Sequence, residues 1–299
     1  MNPSGDQFEL RRGAQSATVV EVGGGLRRYA VGEREVLDGY REDELARSGR
    51  GQLLAPWPNR LEDGSYEHDG ESHQLPLDDV PNRCAIHGLV RWRPMEVLAQ
   101  EPDAVTLGLV LHPQPGYPFA LRLEVTYRLD DAGLSVHTSA ENLSGRPCPF
   151  GLGHHPYLVP RTGRADDAVV CVPGDTALFM NDRSLPKQPE PVPARYDLRR
   201  PRPLGDLVLD TTYTGLARDD DSLVRVRVDD LVLWADTAYD FLQLFTGDPL
   251  PDVARRSIAV EPMTCAPNAF RTGAGLRVLV PGEIFEARWG LEVERGEVG

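Results

Sequence analysis

Leu121-Arg122-Leu123-Glu124-Val125-Thr126-Tyr127-Arg128-Leu129 places an apolar residue at every odd position and a polar one at every even position. A period of two belongs to a strand, whose successive side chains point to opposite faces. Asp130-Asp131-Ala132-Gly133 follows, a composition suited to a turn. Leu134, Val136, Thr138 and Ala140 then resume the alternation. Two such strands joined by a tight turn form an antiparallel pair with one face in a core.

The pattern repeats in both directions along the chain. Residues 18–22 and 26–31 flank Gly23-Gly24-Gly25, and residues 65–68 and 71–75 flank Asp69-Gly70. Asp-Gly between alternating runs is a strong hairpin signal, because the turn needs positive φ at both central positions. Residues 95–100 and 105–111 read as another hairpin. Residues 223–228 and 231–235 flank Asp229-Asp230, and 276–280 and 284–294 close the chain around Pro281-Gly282. Helical patterning is scarce, and residues 42–47 alone read as a short helix. Residues 185–203 carry prolines at 186, 189, 191, 193, 201 and 203, which marks a surface excursion. Similar strands precede and follow it, so it does not divide the chain. The expectation is an all-β, antiparallel sandwich in a single domain spanning residues 1–299, with more than half of it in strands.

Composition narrows the function. The 299 residues carry a formal charge of −14, and Lys187 is the lone lysine. Binding to a phosphate backbone needs a basic footprint, so no nucleic-acid partner is expected. Cys84, Cys148, Cys171 and Cys265 lie far apart without a Cys-x-x-Cys pair, which predicts free, mostly buried thiols in a reducing compartment. The polar start Met1-Asn-Pro-Ser-Gly has no apolar signal core, and no apolar run reaches membrane length. A soluble cytoplasmic protein with no membrane partner is expected.

The candidate chemistry centres on Phe150-Gly151-Leu152-Gly153-His154-His155-Pro156-Tyr157. In a regular strand only one of two adjacent histidines faces a given cleft. Four other segments carry directed polar groups: Pro56-Trp57-Pro58-Asn59-Arg60, Ala85-Ile86-His87-Gly88, Leu209-Asp210-Thr211 and Val260-Glu261-Pro262. Alone, each also reads as an ordinary turn or strand end. Glu261 at the end of an apolar strand is costly to bury unless it is paired or used in chemistry. Gln243 is the polar member of Phe241-Leu242-Gln243-Leu244-Phe245, on the face opposite both leucines. Adjacent histidines are poorly spaced for a metal, and no serine sits in a nucleophile elbow. A mixed His/Asp/Glu metal site and a glycosidase pair of Asp210 with Glu261 both remain open on residue type.

Taken together, Pro58-Asn59-Arg60, His87-Gly88, His155 with Tyr157, Asp210, Gln243 and Glu261 resemble the aldose 1-epimerase (galactose mutarotase) family in order and spacing. The resemblance runs from about Gly51 to Asn268 and more loosely over the whole chain. It implies the β-supersandwich of galactose mutarotases, with Glu261 as general base and His155 as general acid. It implies that His87 holds the sugar beside them; as a residue type it can also steady developing charge in catalysis. It further implies that Asn59, Arg60, Asp210, Gln243 and Tyr157 bind the substrate, a small-molecule sugar. No cofactor and no metal are expected, and the chain is expected to be a monomer or a weak homodimer. His154 stands where better-known members have asparagine, Leu158 where many have phenylalanine, and Pro267-Asn268-Ala269 where they have Pro-Asp-Ala. These departures bear on the identity of the sugar.

Three alternatives accompany this expectation. A hexose-6-phosphate mutarotase would need clustered arginines, for which Arg199-Arg200-Pro201-Arg202 or Arg255-Arg256 are available. A glycosidase or lyase on a similar sandwich would need a long open groove. A non-catalytic sugar-binding protein on the same fold would have no use for Glu261 and His155 as a proton-transfer pair.

Overall fold

The computed structural model describes residues 2–251 and 253–294. Strand accounts for 48% of the structure and helix for 3%, so strand falls just short of the expected half. Leu121–Leu129 pairs along its whole length with Gly133–Asn142, from Leu121 opposite Asn142 to Leu129 opposite Leu134. Leu121, Leu123, Val125, Tyr127 and Leu129 are buried, while Arg122 and Arg128 are exposed.

This pair lies within a nine-stranded antiparallel sheet. The strands run in the order Glu96–Glu101, Ala104–Leu111, Leu121–Leu129, Gly133–Asn142, Ile284–Val293, Leu231–Ala235, Val224–Val228, Val169–Cys171 and Arg202–Pro203. A second, eight-stranded sheet runs Glu190–Pro191, Gly174–Phe179, Asp210–Leu216, Phe241–Phe245, Ile258–Met263, Gly153–His154 and Leu53–Leu54, with Tyr157–Leu158 also paired to Ile258–Met263. The two sheets share one apolar core, to which Leu123 and Leu291 contribute from the first and Leu242, Leu244 and Val260 from the second. Four N-terminal strands, Gln7–Arg12 to Arg34–Glu35, form a further sheet whose Leu10, Val19 and Tyr29 join that core.

The local turn signals are realised. Asp69 and Gly70 adopt φ of 52° and 75° between Ser65–His68 and Glu71–Gln74. Three expectations need correction. Residues 42–47 form a short turn and irregular chain rather than a helix. Their one large apolar side chain, Leu45, is 54% exposed, so no apolar stripe supports a helix. The strands around Pro281-Gly282 do not pair with each other. Arg277–Leu279 pairs with Cys148–Phe150, whereas Ile284–Val293 enters the nine-stranded sheet between Gly133–Asn142 and Leu231–Ala235. The proline excursion is not wholly irregular, because Glu190–Pro191 and Arg202–Pro203 form the outermost strands of the two large sheets. Proline is tolerated there because an edge strand has one unpaired side. The cysteines are free, with Cys84, Cys148 and Cys265 buried and Cys171 half-buried. Among the described residues, no helix is long and apolar enough to cross a membrane.

Candidate active site

The face of the eight-stranded sheet turned away from the core supplies one wall. Thr212 lies opposite Gln243, and Gln243 opposite Glu261, on three adjacent strands. With a period of two, Asp210, Gln243, Phe245 and Glu261 leave by the same face, while Leu242, Leu244 and Val260 turn inward. Tyr157, opposite Ala259, joins the outward row. Gln243 is locked in place, since its amide donates to Asp210 Oδ1 at 2.6 Å and its carbonyl accepts from the Thr212 hydroxyl.

Two loops supply the facing wall. The His87 backbone N–H donates to the Asn59 carbonyl at 2.9 Å, and the Asn59 N–H donates to His87 Nδ1 at 3.1 Å. Both residues have positive φ, 55° and 62°, and their two reciprocal hydrogen bonds join the loops that present the side chains. Because Nδ1 accepts, neutral His87 carries its proton on Nε2. Arg60 Nε lies 2.6 Å from Asp79, and Arg91 lies 2.5 Å from Asp78.

His155 Nε2 sits 3.4 Å from Glu261 Oε1. Its ring stacks on Tyr157 with centroids 5.0 Å apart and meets the edge of His87 at 5.3 Å. Glu261, His155, His87, Asn59, Arg60, Asp210, Gln243 and Tyr157 all line one cavity of about 300 Å³. His154 lies on the other side of its strand. Its Nε2 is 3.1 Å from the Thr138 hydroxyl and its ring packs against Trp289, inside the core.

The sequence reading missed part of this wall. Ser48, Gly49, Phe245 and Leu250 also line the cavity, as do Arg91 and Trp92, to which no role had been given. Gly49 has φ of 76°, and a Cβ there would lie 2.3 Å from His155 Cδ2. Only glycine lets this loop cross the imidazole so closely. The pair Gly49 and Gly51, just before the Pro-Trp-Pro-Asn-Arg motif, was the available signal.

Burial dominates the electrostatics. It pushes the Glu261 carboxyl well above the usual carboxylate range; neighbouring Asp210 adds to this and Arg60 opposes it. Asp210 is raised by burial, against Arg60 and the Gln243 hydrogen bond. Burial drives His155 down to about 3, reinforced by Arg50 and Arg91. His87 is held well below the ordinary imidazole range by burial first, then by His155 and the nearby arginines. Burial thus favours the uncharged form of each group, a protonated Glu261 and an unprotonated His155. Among the described residues, Glu261 Oε2 and His155 Nδ1 are buried without a hydrogen-bond partner.

Fold and cleft together define the galactose mutarotase-like class of antiparallel β-sandwich. Residues 6–292 match the family model described as aldose 1-epimerase. The chain is 30% identical over 286 residues to the uncharacterized protein YihR of Escherichia coli K12, covering 95% of this chain and 92% of that one. It is 29% identical over 184 residues to human galactose mutarotase, a match spanning 55% of this chain and 49% of that protein. Among solved structures, a putative aldose 1-epimerase from Escherichia coli K12 superposes with a TM-score of 0.84 at 19% identity, covering 97% of this chain and 99% of that one. Galactose 1-epimerase from Lactobacillus acidophilus gives a TM-score of 0.78 at 20% identity, with 96% and 94% covered. The chain belongs to the aldose 1-epimerase family.

Proposed function

We propose that this protein is a mutarotase that interconverts the α and β anomers of a free, uncharged aldose such as galactose or glucose. The observation that carries the reading is the His155–Glu261 pair, 3.4 Å apart at the wall of a polar cavity of sugar size. A free sugar hydroxyl would give the buried, unpartnered Glu261 Oε2 the hydrogen bond it lacks.

Ring opening uses the pair with Glu261 ionised and His155 protonated. Glu261 takes the proton from the anomeric O1–H. The O1 electron pair forms C1=O1, the C1–O5 bond breaks, and O5 takes the proton from His155. The proton count on the pair is unchanged, but the proton now sits on Glu261. After rotation about C1–C2, Glu261 returns its proton to O1 while O5 attacks the other face of C1 and gives its proton to His155. The reaction needs both protonation states of the pair; burial favours the neutral one, so reaching the ion pair is part of the barrier. Asn59, Arg60, Asp210, Gln243 and Tyr157 hold the sugar, and the Nε2–H of His87 steadies charge developing on an oxygen. Side-chain acid and base chemistry suffices, so no cofactor or metal takes part.

Charge matching favours a neutral sugar over a sugar phosphate. The cavity arginines, Arg60 and Arg91, are already matched by Asp79 and Asp78. Arg199, Arg200, Arg202, Arg255 and Arg256 do not line the cavity, and Arg255 is bonded to Asp166 and Asp248. The test uses freshly dissolved pure anomers of several aldoses, followed by polarimetry or proton NMR. Equilibration should accelerate in proportion to protein concentration for at least one neutral aldose. Rates equal to buffer across the whole panel would sink the reading.

A further inference from the structure

Arg50 lies outside the cavity lining and is only 4% exposed. Its guanidinium sits 4.3 Å from the centroid of the Tyr157 ring, and that ring lies nearly parallel to His155, at 8°. Arg50 donates to Asp38 Oδ2 at 3.0 Å. Asp38 also receives Arg256 at 2.5 Å and the Ser257 hydroxyl at 2.7 Å, and its own N–H donates to the Tyr157 carbonyl at 2.8 Å. The Arg50 loop holds the His155 backbone from both sides. Gly51 N–H donates to the His155 carbonyl at 3.0 Å, and His155 N–H donates to the Gln52 carbonyl at 3.2 Å. One carboxylate thus ties together the loop over His155, the Tyr157 segment and the residues that lead into the Glu261 strand.

We propose that Arg50, anchored by Asp38, is a positioning residue that fixes the Tyr157–His155 stack and holds a fixed positive charge beside the His155–Glu261 pair; this rests on the epimerase reading above. A role in packing alone would be met by an apolar side chain at less desolvation cost. The groups that face His155 are Glu261 from its strand, His87 from the facing loop, Tyr157, Arg91 and Arg50. Arg50 and Arg91 disfavour a cationic imidazole, which makes protonated His155 a stronger acid toward the ring oxygen.

Arg50→Met and Arg50→Lys separate the two roles. Methionine keeps an apolar stem of similar length, and Asp38 retains Arg256 and Ser257, so the buried carboxylate stays paired and the variant folds. The measurements are kcat and KM on the anomer that the wild type converts. They are joined by nitrogen-15 NMR of the His155 imidazole without sugar, assigned by its loss in His155→Asn. In Arg50→Met, kcat should fall about tenfold or more with KM within about twofold. His155 should protonate about one pH unit higher, because a like charge is gone. Arg50→Lys keeps the charge but loses the planar stack, so its imidazole should titrate as in the wild type while kcat still falls. An imidazole signal unmoved in folded Arg50→Met overturns the proposal, whatever the kinetics show. If the wild type converts no anomer, the epimerase reading fails and the imidazole signal alone decides the role of Arg50.

Discussion

Glu261 and His155 carry opposite consequences of the same burial, one pushed up and the other down. Replacing Glu261 by Gln keeps shape and hydrogen bonding but removes the base, and His155→Asn removes the other proton carrier. Each should lower kcat about a hundredfold or more, measured by polarimetry on a pure anomer, with much smaller effects on sugar affinity. A Glu261→Gln variant with near-full turnover would end the acid–base account. The proposed turnover needs one proton on the pair. Its alkaline limb should therefore lie above the usual carboxylate range, and its acid limb below the usual imidazole range, leaving a broad plateau between. His154 behaves differently, because it works in the core. Burial holds it down to about 3 from an ordinary value near 6.5. Between those values the unfolded chain binds the extra proton, so stability rises with pH across this window and is lost on acidification. His154→Asn should leave turnover nearly intact and flatten the dependence of melting temperature on pH below 6.5. An unchanged pH slope would refute it.

At the scale of elements, Gly49 is the most sensitive join. Any side chain there meets the His155 ring and strains a backbone at positive φ. Gly49→Ala should cut kcat about tenfold or more, while destabilising the fold by about 1 kcal/mol or more. Full activity in a folded Gly49→Ala protein would show that the loop yields freely. Elements were legible where their signal was local. Asp69-Gly70 and the alternation from Leu121 to Ala140 specify turns and faces within about twenty residues of chain. The partners of Arg277–Leu279 were not legible, because its pairing with Cys148–Phe150 is set by long-range packing rather than by the intervening turn. The outward row of Asp210, Gln243 and Glu261 could be foreseen from periodicity, but not that their strands lie side by side. Gly49 and Arg50 escaped because a glycine and an arginine in a loop look the same whether they cradle an imidazole or face water.

For the whole molecule, charge carries the proposed preference for a neutral sugar. The formal net charge is −14, and the cavity arginines are already matched by carboxylates. A hexose 6-phosphate should therefore show a much lower kcat/KM than the parent hexose, with the gap narrowing as added salt screens the repulsion. A phosphorylated sugar that outperforms its parent at low salt would reverse the assignment.

The outer strands of the two large sheets carry a consequence of another kind. An open sheet edge is a template for adding strands from other chains, the first step toward aggregation. Here the 185–203 excursion ends both sheets with strands containing a proline, Pro191 opposite Thr176 and Pro203 opposite Val169. Proline has no N–H to offer an incoming strand. At the opposite ends, Leu53–Leu54 is only two residues long, and Glu96–Glu101 is bent by an irregularity between Val97 and Ala99 and bounded by glutamates. A Pro191→Val, Pro203→Val double variant should keep its turnover yet scatter light and bind an amyloid dye on prolonged incubation, where the parent stays clear. In this protein the features that discourage strand addition stand at the margins of the sheets, outside the cavity lining.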